Sequence, residues 1–188
     1  MHDRFTSEAK RTMNAARSEA VQLRHDHLRP EHIFLAICDR PEGLAAGVLR
    51  ELGAIPHEVR ADAERLLTPS VEVAGRALQF TASAKKVIEL ALSESEAMQH
   101  AVVGTGHLLV GLADLPESVS QRVLADRSIT ADLVRARVIE HGGLDAPGDD
   151  VLSESARRSQ IAHQTLFVVV TNLENALRRV RDAIRRPF

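Results

Sequence analysis

Residues 5–37, FTSEAKRTMNAARSEAVQLRHDHLRPEHIFLAI, align without a gap with residues 80–112, FTASAKKVIELALSESEAMQHAVVGTGHLLVGL, at a constant offset of 75 positions. Nine of the 33 aligned positions are identical, including the leading Phe-Thr pair and two histidines. Chance similarity rarely keeps one register over such a length, whereas duplicated supersecondary units do so. The sequence therefore predicts an internal duplication.

Each copy begins with the same helix signal. Thr6 and Thr81 are suitable N-caps, and apolar or small residues follow them at helical spacing. A hydrophobic residue just before the cap can pack on the first turn, so Phe5 and Phe80 are predicted to be structural staples. Pro30 suits the first position of a second helix, and its counterpart Thr105 is predicted to cap a helix from Gly106 to Ala113. Two further segments per copy lie between Gly, Pro and Thr residues. Four helices per copy are expected.

The first 140 residues show no alternation of polar and apolar residues of the kind that strands produce. The predicted fold is therefore all-α: a tandem pseudo-twofold duplication of a four-helix unit, with eight helices, followed by a helical C-terminal tail. We expect a duplicated body at 2–143, made of repeat one at 2–67 and repeat two at 79–141. A linker rich in Gly, Pro and Asp follows at 144–150, and the tail occupies 151–188.

The tail carries six apolar residues at alternating spacings of 4 and 3, which is the a/d pattern of a heptad seam. They are Leu166, Val170, Leu173, Leu177, Val180 and Ile184. Such a seam has to be buried, either against the body or in a homodimer through a short coiled coil. The β-branched run 166–170 also permits a strand. Between positions 154 and 186 the tail has seven arginines and three acids, so it is basic, whereas the body is acidic.

Composition narrows the class of protein. With 188 residues, 44% of them hydrophobic and 27% charged, the chain has the profile of an ordinary folded protein. Cys38 is the sole cysteine, so no intrachain disulfide can form, and the N-terminus shows no secretory signal. No apolar stretch is long enough to span a membrane. We expect a cytoplasmic protein with no membrane association.

The common catalytic motifs are missing. No glycine precedes a lysine as a phosphate-binding P-loop requires, and the nucleophile-elbow and zinc-peptidase motifs are absent. His25, His27, His32 and Cys38 are the best candidates for metal binding, but their spacing matches no standard zinc motif. His25 and His32 also recur in the second copy, which favours hydrogen bonding at a helix end or in the core. We predict a non-enzymatic protein without metal or cofactor.

Glu31 is the acid of greatest interest, because it lies in the first turn of a predicted helix. A carboxylate is stabilised there by the helix dipole, and this structural role could be its only one. The functional alternative is that Glu31 meets a cationic group of a partner. Its counterpart in the second copy, Gly106, can do neither.

Four sequence blocks carry a resemblance to a known family: RFTSEAK at 4–10, RPEHIFL at 29–35, FTASAKKVIEL at 80–90 and VGTGHLL at 103–109. They resemble the two Clp repeats of the N-terminal domain of ClpC-type unfoldase ATPases, and the similarity extends over residues 2–143. The resemblance implies an eight-helix pseudo-twofold domain. In that family the domain receives adaptors and substrates before the ATPase rings unfold them for the ClpP peptidase.

The family typically carries Gly-Thr-Glu-His at the start of the second helix of each repeat, and in some members the Glu helps to bind phosphorylated arginine. Repeat one keeps Glu31 and His32 but has Arg29 and Pro30 in place of Gly-Thr. Repeat two keeps Thr105 and loses the Glu. The resemblance thus implies ligand-binding roles for the residues Glu31, Arg29, His32 and Thr105.

The leading hypothesis is a non-catalytic protein-interaction module that feeds or modulates Clp-dependent proteolysis. Its partners would be proteins or peptides, such as Clp unfoldase or protease components, adaptors or their substrates. No ATPase ring is encoded in this chain. The alternative is a regulator whose basic tail drives dimerisation or contacts nucleic acid. Nucleic-acid binding is disfavoured, because no aromatic residue lies among the tail arginines.

Overall fold

The computed structural model describes residues 4–67 and 78–145. These residues all belong to one compact unit, which ends at residue 150. The predicted tail, with its six-residue seam from Leu166 to Ile184 and its arginines, lies outside the described residues. Its proposed role in dimerisation stays a prediction.

Within the described residues, each repeat contains four helices and one two-residue strand. Repeat one consists of α1 (Ser7–Gln22), β1 (His27–Leu28), α2 (Pro30–Cys38), α3 (Leu44–Glu51) and α4 (Pro56–Leu66). Repeat two consists of β2 (Gln79–Phe80), α5 (Ala82–Ala97), α6 (Thr105–Asp114), α7 (Val119–Ala125) and α8 (Ala131–Glu140). The predicted all-α fold of eight helices is confirmed. None of these helices is long and apolar enough to cross a membrane.

The two repeats are joined by reciprocal backbone pairing, which the sequence did not predict. Strand β1 pairs in parallel with β2, and the Thr81 N–H donates to the Leu28 carbonyl at 3.0 Å. At the positions 75 residues away, the Thr6 N–H donates to the Val103 carbonyl at 2.9 Å. Each repeat therefore begins its first helix against the segment that precedes the second helix of the other. This exchange explains the pseudo-twofold arrangement.

Phe5 and Phe80 lie at this inter-repeat pairing. Both are half-buried and pack against the hydrophobic core. A staple requires an apolar residue four positions after the cap, but Lys10 and Lys85 occupy those positions. The two phenylalanines therefore anchor the helix starts through the core and the inter-repeat pairing. Thr6 and Thr81 cap the helices as predicted; Thr6, for example, accepts a hydrogen bond from the Ala9 N–H at 3.1 Å. The predicted cap at Thr105 is wrong, because Gly104 is the N-cap and Thr105 is the first residue of α6.

Helices α2 and α6 form the centre of the domain. All but one residue of each is buried, whereas α1, α4, α5 and α8 each bury only part of their surface. The segments IFLAIC and LLVGLA are apolar on every side, and such helices are stable only when other helices surround them. The positions of α2 and α6 therefore determine how the other helices of the domain are arranged.

Candidate functional site

A pair of buried histidines fixes the start of α2. The His32 Nδ1 accepts a hydrogen bond from the Arg29 N–H at 3.0 Å, and the His32 Nε2 lies 2.6 Å from the His25 Nδ1. Because the His32 Nδ1 is an acceptor, its proton resides on Nε2 and is donated to His25. His32 is fully buried. It holds the backbone of Arg29 from below and is not one of the residues that line the cavity described next.

Repeat two reproduces this arrangement. The His107 Nδ1 accepts from the Gly104 N–H at 2.9 Å, and its Nε2 lies 2.9 Å from the His100 Nδ1. Burial lowers the pKa of His32 to about 4 and that of His107 to about 3. These histidines are therefore neutral structural groups near pH 7. Within the described residues, no group of three or more His, Cys, Asp or Glu side chains could hold a metal ion.

A cavity of about 400 Å³ opens at the start of α2. We call it the first cradle. Its lining residues come from the starts of α2 and α5 and from the segment between α6 and α7. They are Arg29, Pro30, Glu31, Thr81, Ser83 and residues 115–119. This volume falls within the range of pockets that hold small ligands or single peptide side chains.

Three charged side chains line the first cradle. Glu31 is mostly buried, with 13% of its side chain exposed, and Arg29 is 36% exposed. The nearest charged atoms of the two residues are 3.9 Å apart, which is too far for a hydrogen bond. Glu117 adds a second carboxylate. Two carboxylates and one guanidinium suit a ligand that is cationic or carries both charges.

The equivalent place in repeat two, the second cradle, contains the carboxylate of Asp145. The Thr105 N–H donates to the Asp145 Oδ2 at 2.8 Å, and the Thr105 hydroxyl donates to Oδ1. The Thr6 hydroxyl donates to Oδ2 at 2.9 Å, and the Leu44 N–H donates to Oδ1 at 3.1 Å. Asp145 belongs to the predicted linker at 144–150, so the start of that segment is in fact bound to the body.

The position in the second cradle that corresponds to Glu31 is tightly packed. A Cβ atom on Gly106 would lie 3.0 Å from the Val138 Cγ1 and 3.1 Å from the Leu44 Cδ2. These distances are shorter than ordinary carbon contacts, so a side chain there would have to displace its neighbours. The loss of the glutamate in repeat two is thus accompanied by closer packing of α6 against α3 and α8.

The four residues predicted to bind a ligand do not form one site. Arg29 and Glu31 line the first cradle, His32 lies beneath it, and Thr105 lies in the second cradle. Sequence reasoning missed Thr81, Ser83 and residues 115–119 as lining residues. It also missed Asp145, because nothing in the local sequence distinguishes this aspartate from its neighbours in a Gly-, Pro- and Asp-rich segment.

The fold and the paired cradles define a duplicated helical domain in which the second helix of each repeat starts at a polar cluster. The sequence matches the family described as Clp repeat (R) N-terminal domain over residues 4–127. Because this match spans more than half of the chain, the protein belongs to the Clp repeat N-terminal domain family.

Two relatives show which share of each chain is similar. The chain is 37% identical over 137 residues to the ATP-dependent Clp protease ATP-binding subunit ClpC of Staphylococcus saprophyticus, which covers 73% of this chain. It is 34% identical over 148 residues to the negative regulator of genetic competence ClpC/MecB of Bacillus subtilis, which covers 79% of this chain. The matches span only 17% and 18% of the relatives' own lengths.

A solved structure has the same fold. The N-terminal domain of the caseinolytic protease associated chaperone ClpD from Arabidopsis thaliana superimposes with a TM-score of 0.57 at 22% sequence identity. The superposition covers 74% of this chain and 94% of that domain. The similarity thus confirms that the described body adopts the fold of a Clp N-terminal domain.

Proposed function

We propose that this protein is a non-catalytic interaction module that binds a cationic side chain of a partner protein in the first cradle and thereby feeds or modulates Clp-dependent proteolysis. Glu31 is the observation that carries the proposal. It is a mostly buried carboxylate at the edge of a cavity large enough for one side chain. A partly desolvated carboxylate attracts a cation more strongly than one in open water.

The charge pattern favours arginine, and phosphoarginine in particular. Phosphoarginine carries a guanidinium group, which suits Glu31, and a phosphoryl group, which suits the guanidinium of Arg29. The Arg29 and Glu31 charged atoms stand 3.9 Å apart without a hydrogen bond, so each retains donors or acceptors for a ligand. Glu117 supplies a second acceptor at the rim.

Family membership supports the link to proteolysis. The two relatives are named as the ATP-binding subunit of an ATP-dependent Clp protease and as a negative regulator of genetic competence. The shared region is less than one fifth of either relative. We infer that this chain presents the same kind of receptor surface and acts on partners of the Clp machinery, either by bringing them to it or by holding them away.

Calorimetric titration with free phosphoarginine, arginine and inorganic phosphate tests the proposal. Replacing Glu31 by Gln is expected to weaken phosphoarginine binding about tenfold or more, since one partly buried charge contact contributes about 1.4 kcal/mol. Arg29→Ala is expected to weaken phosphoarginine binding and to leave arginine binding nearly unchanged. Glu89→Gln, an exposed acid on α5 outside the cradle, is the matched control and keeps wild-type affinity.

Equal affinities of the wild type and Glu31→Gln for phosphoarginine would show that the first cradle is not the binding site. The proteolytic role has a separate test, in which the whole chain is used to capture proteins from its native host. Recovery of Clp components by the wild type, with reduced recovery by Glu31→Gln, is the expected result. Binding of phosphoarginine without any capture of Clp components would leave a ligand-binding module unconnected with proteolysis.

A further inference from the structure

The carboxylate of Asp145 is held by donors from three separate segments of the chain. They are the Thr6 hydroxyl at the N-cap of α1, the Leu44 N–H in the first turn of α3, and the N–H and hydroxyl of Thr105 in the first turn of α6. Helix starts carry partial positive charge and unpaired N–H groups, so each stabilises an anion. Four donors on one carboxylate, from segments as far apart in sequence as Thr6 and Thr105, make a built oxyanion site.

Two glycines allow the carboxylate to reach this position. Gly143 has a φ of +74°, and a Cβ atom there would lie 1.9 Å from the His100 Cε1. This turn after α8 therefore cannot accept a side chain. A Cβ atom on Gly104 would lie 3.0 Å from the Asp145 Oδ2. The counterpart of Gly104 in the first cradle is Arg29, so that cradle lacks the equivalent space.

The donors that surround Asp145 are those that an external carboxylate or phosphate would need. We propose that Asp145 is an internal ligand, which occupies the oxyanion site of the second cradle and closes it to acidic groups of other molecules. An external oxyanion can bind there only by displacing Asp145. The chain would then offer partners a single cradle, despite its duplication. This inference does not depend on what the first cradle binds.

Chemical rescue of Asp145→Ala in the whole chain tests the inference. Loss of the charge-assisted hydrogen bonds is expected to lower the melting temperature by about 5 °C or more. Sodium acetate or inorganic phosphate at about 0.2 M is expected to restore at least about half of that loss by binding in the vacated site. Sodium chloride at the same ionic strength should not. Acetate and phosphate stabilise folded proteins in general, so the gain of the variant relative to chloride should clearly exceed the gain of the wild type.

Nuclear magnetic resonance locates the anion. In Asp145→Ala, titration with acetate and then with phosphate should shift the amide signals of Thr105 and Leu44, and the comparison shows which oxyanion fits better. Adding Thr105→Val, which removes one donor, should weaken the rescue. Asp132→Ala is the control, because the Asp132 side chain is 91% exposed and its loss should not be rescued by acetate.

Three outcomes would overturn the inference. The first is an Asp145→Ala variant that no anion restores, which would make Asp145 an ordinary helix cap. The second is rescue without movement of the Thr105 and Leu44 signals. The third is a wild type that binds acetate as tightly as the variant, since the site would then be open. If Asp145→Ala does not fold in chloride, the same titration measures its folding. Recovery of the folded state with acetate or phosphate supports the inference, and failure to fold in every salt overturns it.

Discussion

The two cradles are built on equivalent backbone positions but have opposite contents. The first cradle is a cavity lined by Glu31, Glu117 and Arg29, whereas the second is filled by the carboxylate of Asp145. The difference arises at three consecutive aligned positions. Repeat one has Arg29, Pro30 and Glu31 there, and repeat two has Gly104, Thr105 and Gly106. Pro30 has no N–H to give to an anion, and Gly106 has no carboxylate to give to a cation. A duplicated domain can therefore keep the same helices in both repeats while its two sites become different.

The groups beneath the cradles have not diverged. His25 and His32 hold the start of α2 as His100 and His107 hold the start of α6. These contacts bury polar groups that would be costly without partners, so both copies need them. Groups that face solvent at the cradles carry no such constraint. This contrast predicts that substitutions of the buried histidines have similar effects in the two repeats. Substitutions in the cradles should have different effects.

The largest expected effect is on the pH dependence of stability. Lowering the pH from about 7.5 to about 5.5 should reduce the free energy of unfolding by about 3 kcal/mol. His32 and His107 remain neutral in the folded state, with pKa values of about 4 and about 3, whereas the unfolded chain takes up protons near pH 6.5. The stability is fully present above pH 6.5 and is lost as the pH falls towards the folded-state values.

Urea denaturation at both pH values measures this effect. His32→Gln and His107→Gln should each remove about half of the pH dependence, because each buried histidine contributes separately. His27→Gln is the control, since the His27 side chain is 48% exposed. A pH dependence that is unchanged in both buried variants would show that another group is responsible.

The next largest effect on stability concerns the ion pair between the first and last helix of each repeat. Arg60 binds Glu19 at 2.9 Å, and at the equivalent positions Arg135 binds Glu94 at 2.8 Å. Arg60→Ala should lower the free energy of unfolding by about 2.5 kcal/mol and Arg135→Ala by about 1.5 kcal/mol. Arg60 has the larger effect because it also donates to the Leu35 carbonyl of the central helix α2.

Chemical denaturation of both variants gives the comparison. Adding Glu19→Gln to Arg60→Ala should recover part of the loss, because the remaining buried charge is removed. A larger effect of Arg135→Ala than of Arg60→Ala would contradict the ranking of the two repeats.

The smallest expected effect is a gain in stability. Thr12 is fully buried on α1, and its hydroxyl has no hydrogen-bond partner among the described residues. The equivalent residue on α5 is the fully buried Val87. Thr12→Val should therefore raise the free energy of unfolding by about 1 kcal/mol, and the reverse change Val87→Thr should lower it by about as much. Thermal denaturation measures both effects. Melting temperatures that change in the same direction in the two variants would contradict this prediction.

Much of the fold could be predicted from the sequence, because its signals are local. The constant offset of 75 positions predicted the duplication, and the Thr-capped apolar pattern placed the starts of α1 and α5 at the correct residues. Recurrence of His25 and His32 predicted hydrogen bonding at a helix end or in the core, and the buried His32 accepts a hydrogen bond from the Arg29 N–H at the start of α2. The candidate site was only partly predicted, since Glu31 and Arg29 were named and the α5 and α6–α7 residues around them were not.

The sequence by itself determined the helices, their duplication and the loss of a glutamate at Gly106, because caps, spacing and residue identity act within a few positions of one another. Only the tertiary structure decided that Thr81 and Glu31 line the same cavity and that Asp145 lies against Thr105 and Thr6. These contacts join residues that are 40 to 139 positions apart, as in the hydrogen bonds from Thr105 and Thr6 to Asp145. They follow from the exchange of backbone pairing between the repeats and from the glycine turn after α8, which no local pattern encodes.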